Sequence, residues 1–285
     1  YSRIVLTQKI FYPKKIGTTN LKNIGLILFD IDGVIRDVGN SYRLAVQKTV
    51  AYFCQWEPYP KDIDCLKNEG IWNNDWDLSL ELIKRYINKN RLHMNPPSKA
   101  EIIKHFEKLY FGCKSSEKYT HWTGFIKNEE LLVDKKFFET LSMKGLKWGF
   151  VSGAEPESAK YVLENRLQLK NPPLIAMNDA PDKPNPDGFI FLASKLTDKK
   201  LGSEAPSIAY VGDTVADIKT VLNARKKIPN QRFISIAVAP PHLHSHSLLD
   251  RRKEYETNLK NAGADYILKG INDLNFIYKD IFNEQ

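Results

Sequence analysis

Six short apolar runs constrain this 285-residue chain more than any other feature, because none of them alternates with polar residues. Ile24-Gly-Leu-Ile-Leu-Phe29 is the first, and Asp30 closes it. Trp148–Val151, Leu174–Met177, Ser207–Val211, Phe233–Val238 and Asp265–Leu268 follow. A strand with one wet face alternates, whereas a continuous run predicts a strand covered on both faces, as in a parallel sheet. Helical patterns lie between the runs. Glu155-Pro156-Glu157 opens one with acids and proline in its first turn, and Ile218, Val221 and Leu222 mark another. Strand–helix alternation of this kind predicts an open, doubly wound α/β sheet with right-handed crossovers.

Residues 37–127 interrupt that rhythm. Tyr42, Val46, Thr49, Val50 and Phe53 share one helical face, as do Leu78, Leu82 and Tyr86, and then Ile102, Phe106 and Leu109. The stretch is expected to be an all-helical subdomain inserted after the first strand, so that 23–36 and 128–285 form the α/β core. Trp72, Trp76 and Trp122 are expected in the helical core.

Composition removes several alternatives. The 42% hydrophobic and 27% charged residues, with a mean hydropathy of −0.42, are those of a globular protein, and no apolar run is long enough to span a bilayer. The net charge of +8 is concentrated in residues 1–22, where Arg3, Lys9, Lys14, Lys15 and Lys22 face no acid; the remaining chain is only +3. That is not the basic stripe of a nucleic-acid binder. The arm is either a solvated tail or a docking element for a partner. Cys54, Cys65 and Cys113 are sparse, odd in number and without a CxxC pair. They point to the cytoplasm or another reducing compartment, an organelle stroma or matrix included. The chain begins at Tyr1, so a leader is not readable.

In an open α/β sheet the crevice lies beyond the carboxyl ends of the strands. Asp30, Asp32 and Gly33 follow the first run, Ser152 and Gly153 the second, and Gly212, Asp213, Thr214 and Asp217 the fourth, with Lys183-Pro184 between. Several carboxylates in one crevice repel unless a cation sits among them. Oxygen-only donors select a hard ion such as Mg2+, and the absence of His or Cys argues against zinc. A lysine and a hydroxyl beside that ion suit phosphoryl oxygens. One carboxylate can then attack phosphorus and form an aspartyl phosphate, and a second, two residues on, can handle the proton.

Asp30-Ile-Asp32-Gly33-Val34, Ser152, Lys183-Pro184 and Gly212-Asp213-Thr214-Val-Ala-Asp217 resemble, in order, the four motifs of the haloacid dehalogenase (HAD) superfamily. The resemblance covers residues 24 to about 270 and leaves the N-terminal arm outside. It implies a HAD-like fold, a Rossmann-like α/β core with a helical cap, and it implies roles. Asp30 would be the nucleophile. Asp32 would be general acid and base, with its backbone carbonyl on Mg2+. Ser152 and Lys183 would hold the phosphoryl group, Asp213 would ligate the ion, and Asp217 would support it directly or through water. Family members that displace halide or cleave carbon–phosphorus bonds usually lack an acid at the place of Asp32, so Asp32 favours phosphate-ester chemistry. The insertion resembles the cap of subfamily IA, the phosphoglycolate-phosphatase-like branch, whose caps enclose small phosphorylated metabolites.

Gly33, Arg36, Lys67, Asn73, Asn74 and Gly153 are the candidate substrate-binding residues. Arg36 would reach a substrate anion or form a cap-to-core salt bridge with a nearby acid. Asn73, Asn74 and Lys67 would contact a polyol, sugar or carboxylate, or Asn73, Asn74 or Asp75 would cap the next helix. His242, His244 and His246 alternate, but after Pro240-Pro241 they are expected in a surface loop and not around a metal. The expected activity is a Mg2+-dependent phosphatase, acting as a monomer or homodimer. A β-phosphoglucomutase-like mutase shares the same motifs, and a non-catalytic subunit docking through the basic arm is the third reading.

Overall fold

The computed structural model describes residues 24–72 and 74–283; the basic arm and Asn73 lie outside the described residues. Two compact units are present among the described residues: one holds residues 24–36 and 131–283, the other lies within Asp37–Glu130.

The strands in chain order are β1 (Gly25–Phe29), β2 (Arg36–Asp37), β3 (Glu130–Leu131), β4 (Leu146–Val151), β5 (Leu174–Ile175), β6 (Ile208–Gly212), β7 (Phe233–Val238) and β8 (Tyr266–Leu268). β2 and β3 are short pieces where the chain leaves and re-enters the first unit. The other six form one sheet in the order β5-β4-β1-β6-β7-β8. Every pairing in it is parallel, with Phe29 level with Phe150 on one side and Val211 on the other.

The continuous apolar runs have the cause expected of them. Leu26 and Leu28 of β1 join Ile208 and Tyr210 on one face, under Phe189, Leu192 and Leu196 of α7 (Asp187–Thr197) and Val221 of α8 (Val215–Lys227). Ile27 and Phe29 point to the other face, under Phe137, Phe138 and Leu141 of α5 (Lys135–Met143) and Ile281 and Phe282 of α10 (Leu274–Asn283). Phe29 alone meets the rings of Phe137, Phe138 and Phe150 at 5.9, 5.8 and 6.1 Å. The centroid distances lie in the range where aromatic pairs add to simple burial. α6 (Pro156–Lys160), which runs on as a π-helix over Tyr161–Arg166, and α9 (Leu249–Asn261) also belong to this unit. The chain enters the sheet at β1, builds outward to β5, and returns to β6 on the opposite side of β1. That reversal is a topological switch point, and it places a crevice at the carboxyl ends of β1, β4 and β6.

The second unit is helical: α1 (Tyr42–Cys54), α2 (Pro60–Asn68), α3 (Asp75–Lys89) and α4 (Lys99–Tyr110). Its apolar faces pack around Tyr42, whose ring stacks on Tyr110 at 4.0 Å and lies 5.7 Å from Phe106. Ser98 and Glu101 form a capping box at the start of α4, satisfying two orphan donors of that helix. The unit runs to Glu130 rather than stopping at 127. The buried Glu129 carboxylate explains the extension, since it accepts from Ser41 Oγ at 2.8 Å and Tyr110 Oη at 2.6 Å. Of the three tryptophans expected in this core only Trp122 is buried. Trp72 and Trp76 are half-buried; Trp72 donates its indole N–H to Glu69, a polar demand that keeps the ring at the surface.

Candidate active site

Each adjacent strand of the switch point delivers one polar residue as it ends. Asp30 follows β1, Ser152 follows β4 and Asp213 follows β6. All three are at most 8% exposed. Carboxylate oxygens of Asp30, Asp213 and Asp217 lie within 4.8 Å of one another. The Asp32 carboxylate is not in that group; its side chain is partly exposed and turned to Arg36.

Lys183 joins this set from the segment before α7. Its ammonium sits 3.0 Å from Asp30 Oδ2 and 2.5 Å from Asp217 Oδ1, and it donates to Tyr210 Oη at 3.1 Å. An ammonium has three protons, so these partners account for all of them. Tyr210 escaped the sequence reading because a tyrosine in the run Ser207–Val211 looks like packing. The available signal was that a buried phenol needs a partner. Its hydroxyl donates to the Val151 carbonyl at 2.6 Å and thereby props Lys183 from behind.

The two carboxylates on Lys183 are not equivalent. Asp217 is the third residue of α8, and its Oδ2 accepts from the Thr214 N–H at 2.9 Å and the Thr214 hydroxyl at 2.6 Å in a capping box. Burial pushes its carboxyl up, but the Lys183 ammonium and the Thr214 donors outweigh burial and hold it below the ordinary carboxylate range. Both Asp217 oxygens are therefore committed to protein donors. Asp30 has the weaker set: the Ile31 N–H to Oδ1 at 2.8 Å and Lys183 to Oδ2. Burial, opposed by Lys183 and reinforced by Asp217 and Asp32, raises its carboxyl from 3.8 to about 6. The Lys183 ammonium is drawn down by burial, yet Asp217 and Asp30 carry it well above its ordinary value, so it stays charged.

Ser152 Oγ accepts the Ala154 N–H at 3.1 Å, an acceptor role that leaves its own proton to donate. Gly153 is half-buried in the bend that follows. The N–H of Gly33, expected to bind substrate, donates to the Arg36 carbonyl at 2.9 Å and closes the loop after β1. Its φ is +77°, and a Cβ there would fall 2.2 Å from Asp213 Oδ2. Arg36 does not reach out for an anion. It is 0% exposed, and its Nε lies 2.6 Å from Asp32 Oδ1, a salt bridge inside the α/β unit and not the cap-to-core one expected.

The candidates of the helical unit are locally engaged. Asn74 Oδ1 accepts from the N–H groups of Trp76 and Asp77 and caps α3. Lys67 pairs with Asp75 at 3.1 Å. Asn73 lies outside the described residues. His244 Nε2 bonds the Ala239 carbonyl at 2.7 Å, and no cluster of the three histidines forms among the described residues.

Comparison with known proteins bears on the family and the fold. An imidazoleglycerol-phosphate dehydratase of Phytophthora nicotianae is 30% identical over 245 residues; the match covers 85% of this chain and 49% of that protein, so the chain spans about half of its relative's length. A phosphonoacetaldehyde hydrolase-like protein of Oleispira antarctica superposes with a TM-score of 0.64 at 17% identity, over 95% of this chain and 97% of that one. A phosphatase of Thermococcus thioreducens does so with a TM-score of 0.53 at 22% identity, over 82% and 99%. Among the described residues no helix is long and apolar enough to cross a membrane. The family model for haloacid dehalogenase-like hydrolases matches residues 24–225, the span that holds every strand-end carboxylate described above, and the chain belongs to that family.

Proposed function

We propose that this protein is a Mg2+-dependent phosphatase that hydrolyses a small phosphomonoester through an aspartyl phosphate on Asp30, with the helical unit as its cap. The observation that carries the reading is the carboxylate cluster at the strand ends: oxygens of Asp30, Asp213 and Asp217 lie within 4.8 Å of one another, with the Lys183 ammonium 3.0 Å from Asp30 and 2.5 Å from Asp217. The donors are all oxygen, as a hard cation requires. Asp30, Asp213 and the Asp32 backbone carbonyl would hold the ion, with Asp217 behind them fixing Lys183. When bound, the ion draws charge from the phosphoryl oxygens and keeps Asp30 ionised.

The chain's own groups do the rest. An Asp30 oxygen attacks phosphorus, and the bond to the ester oxygen breaks on the opposite side. Asp32 gives that oxygen a proton as it leaves. Ser152 donates to a phosphoryl oxygen, and the Lys183 charge beside Asp30 offsets the negative charge that builds there. Asp32, now unprotonated, takes a proton from water, which attacks the acyl phosphate and releases inorganic phosphate. Asp32 is thus needed twice, as acid and then as base. A halide leaves without a proton and an alkoxide does not, so Asp32 supports ester hydrolysis, and the Oleispira protein contributes only its fold. Asp32→Asn is expected to lower turnover of an alkyl phosphate on the order of 100-fold or more; a near-normal rate, measured as phosphate release, would remove Asp32 from this role.

Gly33→Ala tests the cation site from a different side. The new Cβ would displace the Asp213 carboxylate. Mg2+ affinity, read by calorimetry, is expected to weaken roughly tenfold or more. Unchanged affinity would place the ion elsewhere.

The deciding experiment is phosphate release from a panel of phosphomonoesters, with Mg2+ or EDTA, for wild type and Asp30→Asn. The panel spans phosphoglycolate, sugar, polyol and nucleotide phosphates. The name of the Phytophthora relative adds imidazoleglycerol phosphate. Mg2+-dependent release that the variant lacks supports the reading. Phosphoenzyme that passes its group to a sugar hydroxyl faster than to water would make the protein a mutase instead.

A further inference from the structure

We propose that Arg36 is the positioning residue for Asp32: its guanidinium grips one carboxylate oxygen and so presents the other for proton transfer. The inference rests on the reading of Asp32 as acid and base.

A fully buried guanidinium is rare without a task for its fork. Here Nε donates to Asp32 Oδ1 at 2.6 Å and Nη1 donates to Ser158 Oγ at 2.8 Å. Ser158 lies in the first turn of α6, and its own N–H is held by the Glu155 carboxylate at 3.2 Å. One end of the guanidinium is thus anchored to a fixed helix while the other fixes Asp32. The loop between them is short and closed. The N–H groups of Ile35 and Arg36 both donate to the Ile31 carbonyl, at 2.8 and 3.2 Å, and Gly33 donates back to the Arg36 carbonyl. The backbone therefore returns Arg36 to the side of Asp32, where the two residues form an isolated bridge.

The division of labour at Asp32 follows from which atoms are used. Oδ1 is held by Arg36; Oδ2 accepts no hydrogen bond among the described residues, and the side chain is 24% exposed. An aspartate has two side-chain torsions to fix, and a proton must pass in a narrow geometry. A charged, planar donor anchored at its far side holds that geometry better than a flexible ammonium would.

The test uses p-nitrophenyl phosphate and an alkyl phosphate. Nitrophenolate leaves without a proton, so the first step on the aryl ester bypasses Asp32, whereas breakdown of the phosphoenzyme does not. Arg36→Met is expected to release a stoichiometric burst of nitrophenol at close to the wild-type rate. Its steady-state rate, and its turnover of the alkyl ester, should then fall by about 100-fold. Arg36→Lys should recover part of the loss. In an Asp32→Asn background, Arg36→Met should change the steady-state rate by less than about threefold, since the two act as one unit. Burst and steady state falling together, or neither falling, would overturn the proposal.

Two further measurements stand whatever happens to turnover. Ser158→Ala removes the anchor and keeps the arginine, and it should give a weaker form of the same burst pattern; normal alkyl turnover would count against the anchor. In crystals of the metal-free Arg36→Met protein, or of Arg36→Lys should the former not fold, the Asp32 carboxylate should be turned or spread over more than one rotamer. An Asp32 unmoved in such crystals overturns the positioning role without reference to activity. Wild-type protein inactive on every ester would instead refute the phosphatase reading.

Discussion

Asp30→Asn is expected to abolish turnover and, in metal-free protein, to remove a pH-dependent penalty on folding. The Asp30 carboxyl is raised from 3.8 to about 6, chiefly by burial. Between those values the folded protein holds a proton that the unfolded chain has lost. Stability therefore falls as pH rises through that window and stays reduced above it. The full penalty is about 3 kcal/mol, from roughly two pKa units at 1.36 kcal/mol each. Asparagine has no proton to lose. Its carbonyl oxygen can still accept the Ile31 N–H, although its amide then faces Lys183 and gives back part of the gain. Urea unfolding in EDTA should show the variant gaining on wild type by about 3 kcal/mol between pH 4 and pH 7. Adding Mg2+ at pH 7 should stabilise wild type more than the variant and close the gap. A stability difference that does not vary with pH would mean that Asp30 is not a strained carboxylate waiting for a cation.

That strain was only half legible in the sequence. The six strands could be read because burial on both faces leaves no room for polar alternation, and the same logic located Asp30, Ser152 and Asp213 at their ends. What the sequence does not display is which carboxylate owns which donor. Asp213 and Asp217 look alike as letters. Only the helix that begins at Thr214 turns both Asp217 oxygens onto protein donors. Arg36 shows the same limit. Its pairing with an acid was one of two readings, but the choice of Asp32 depends on a loop that doubles back at Gly33 with φ +77°. Tyr210 and Ser158 were invisible because each acts across the chain, 27 residues from Lys183 and 122 from Arg36. Asn74 caps α3, since a helix start supplies unpaired N–H groups within reach of a nearby side-chain oxygen, and Lys67 pairs with the Asp75 carboxylate.

Lys183→Met should be the most destabilising single change at this site. Lys183 is 5% exposed and the Asp217 side chain 1%. Removing the ammonium leaves two buried carboxylates facing each other, and breaking a buried pair from one side costs about 3–5 kcal/mol. For a chain of this size that is a fall in Tm of roughly 10 °C. The sign of its pH dependence separates this cause from a mere cavity. Without Lys183 both carboxylates lose the charge that favours ionisation, so the folded-state pKa of Asp30 rises further above its unfolded value and that of Asp217 rises from below the ordinary range. Protonation then rescues the folded state, and the deficit relative to wild type should shrink as pH falls from 7 to 5. A cavity left by a lost methylene stem would cost the same at both values. Adding Asp30→Asn to Lys183→Met should recover part of the loss, because it removes one of the two repelling charges, and the double variant should be more stable at pH 7 than Lys183→Met alone. If the second substitution lowers stability further instead, the lysine is holding the site together by packing, and the three-way charge balance around it is not what the strand ends were built to provide.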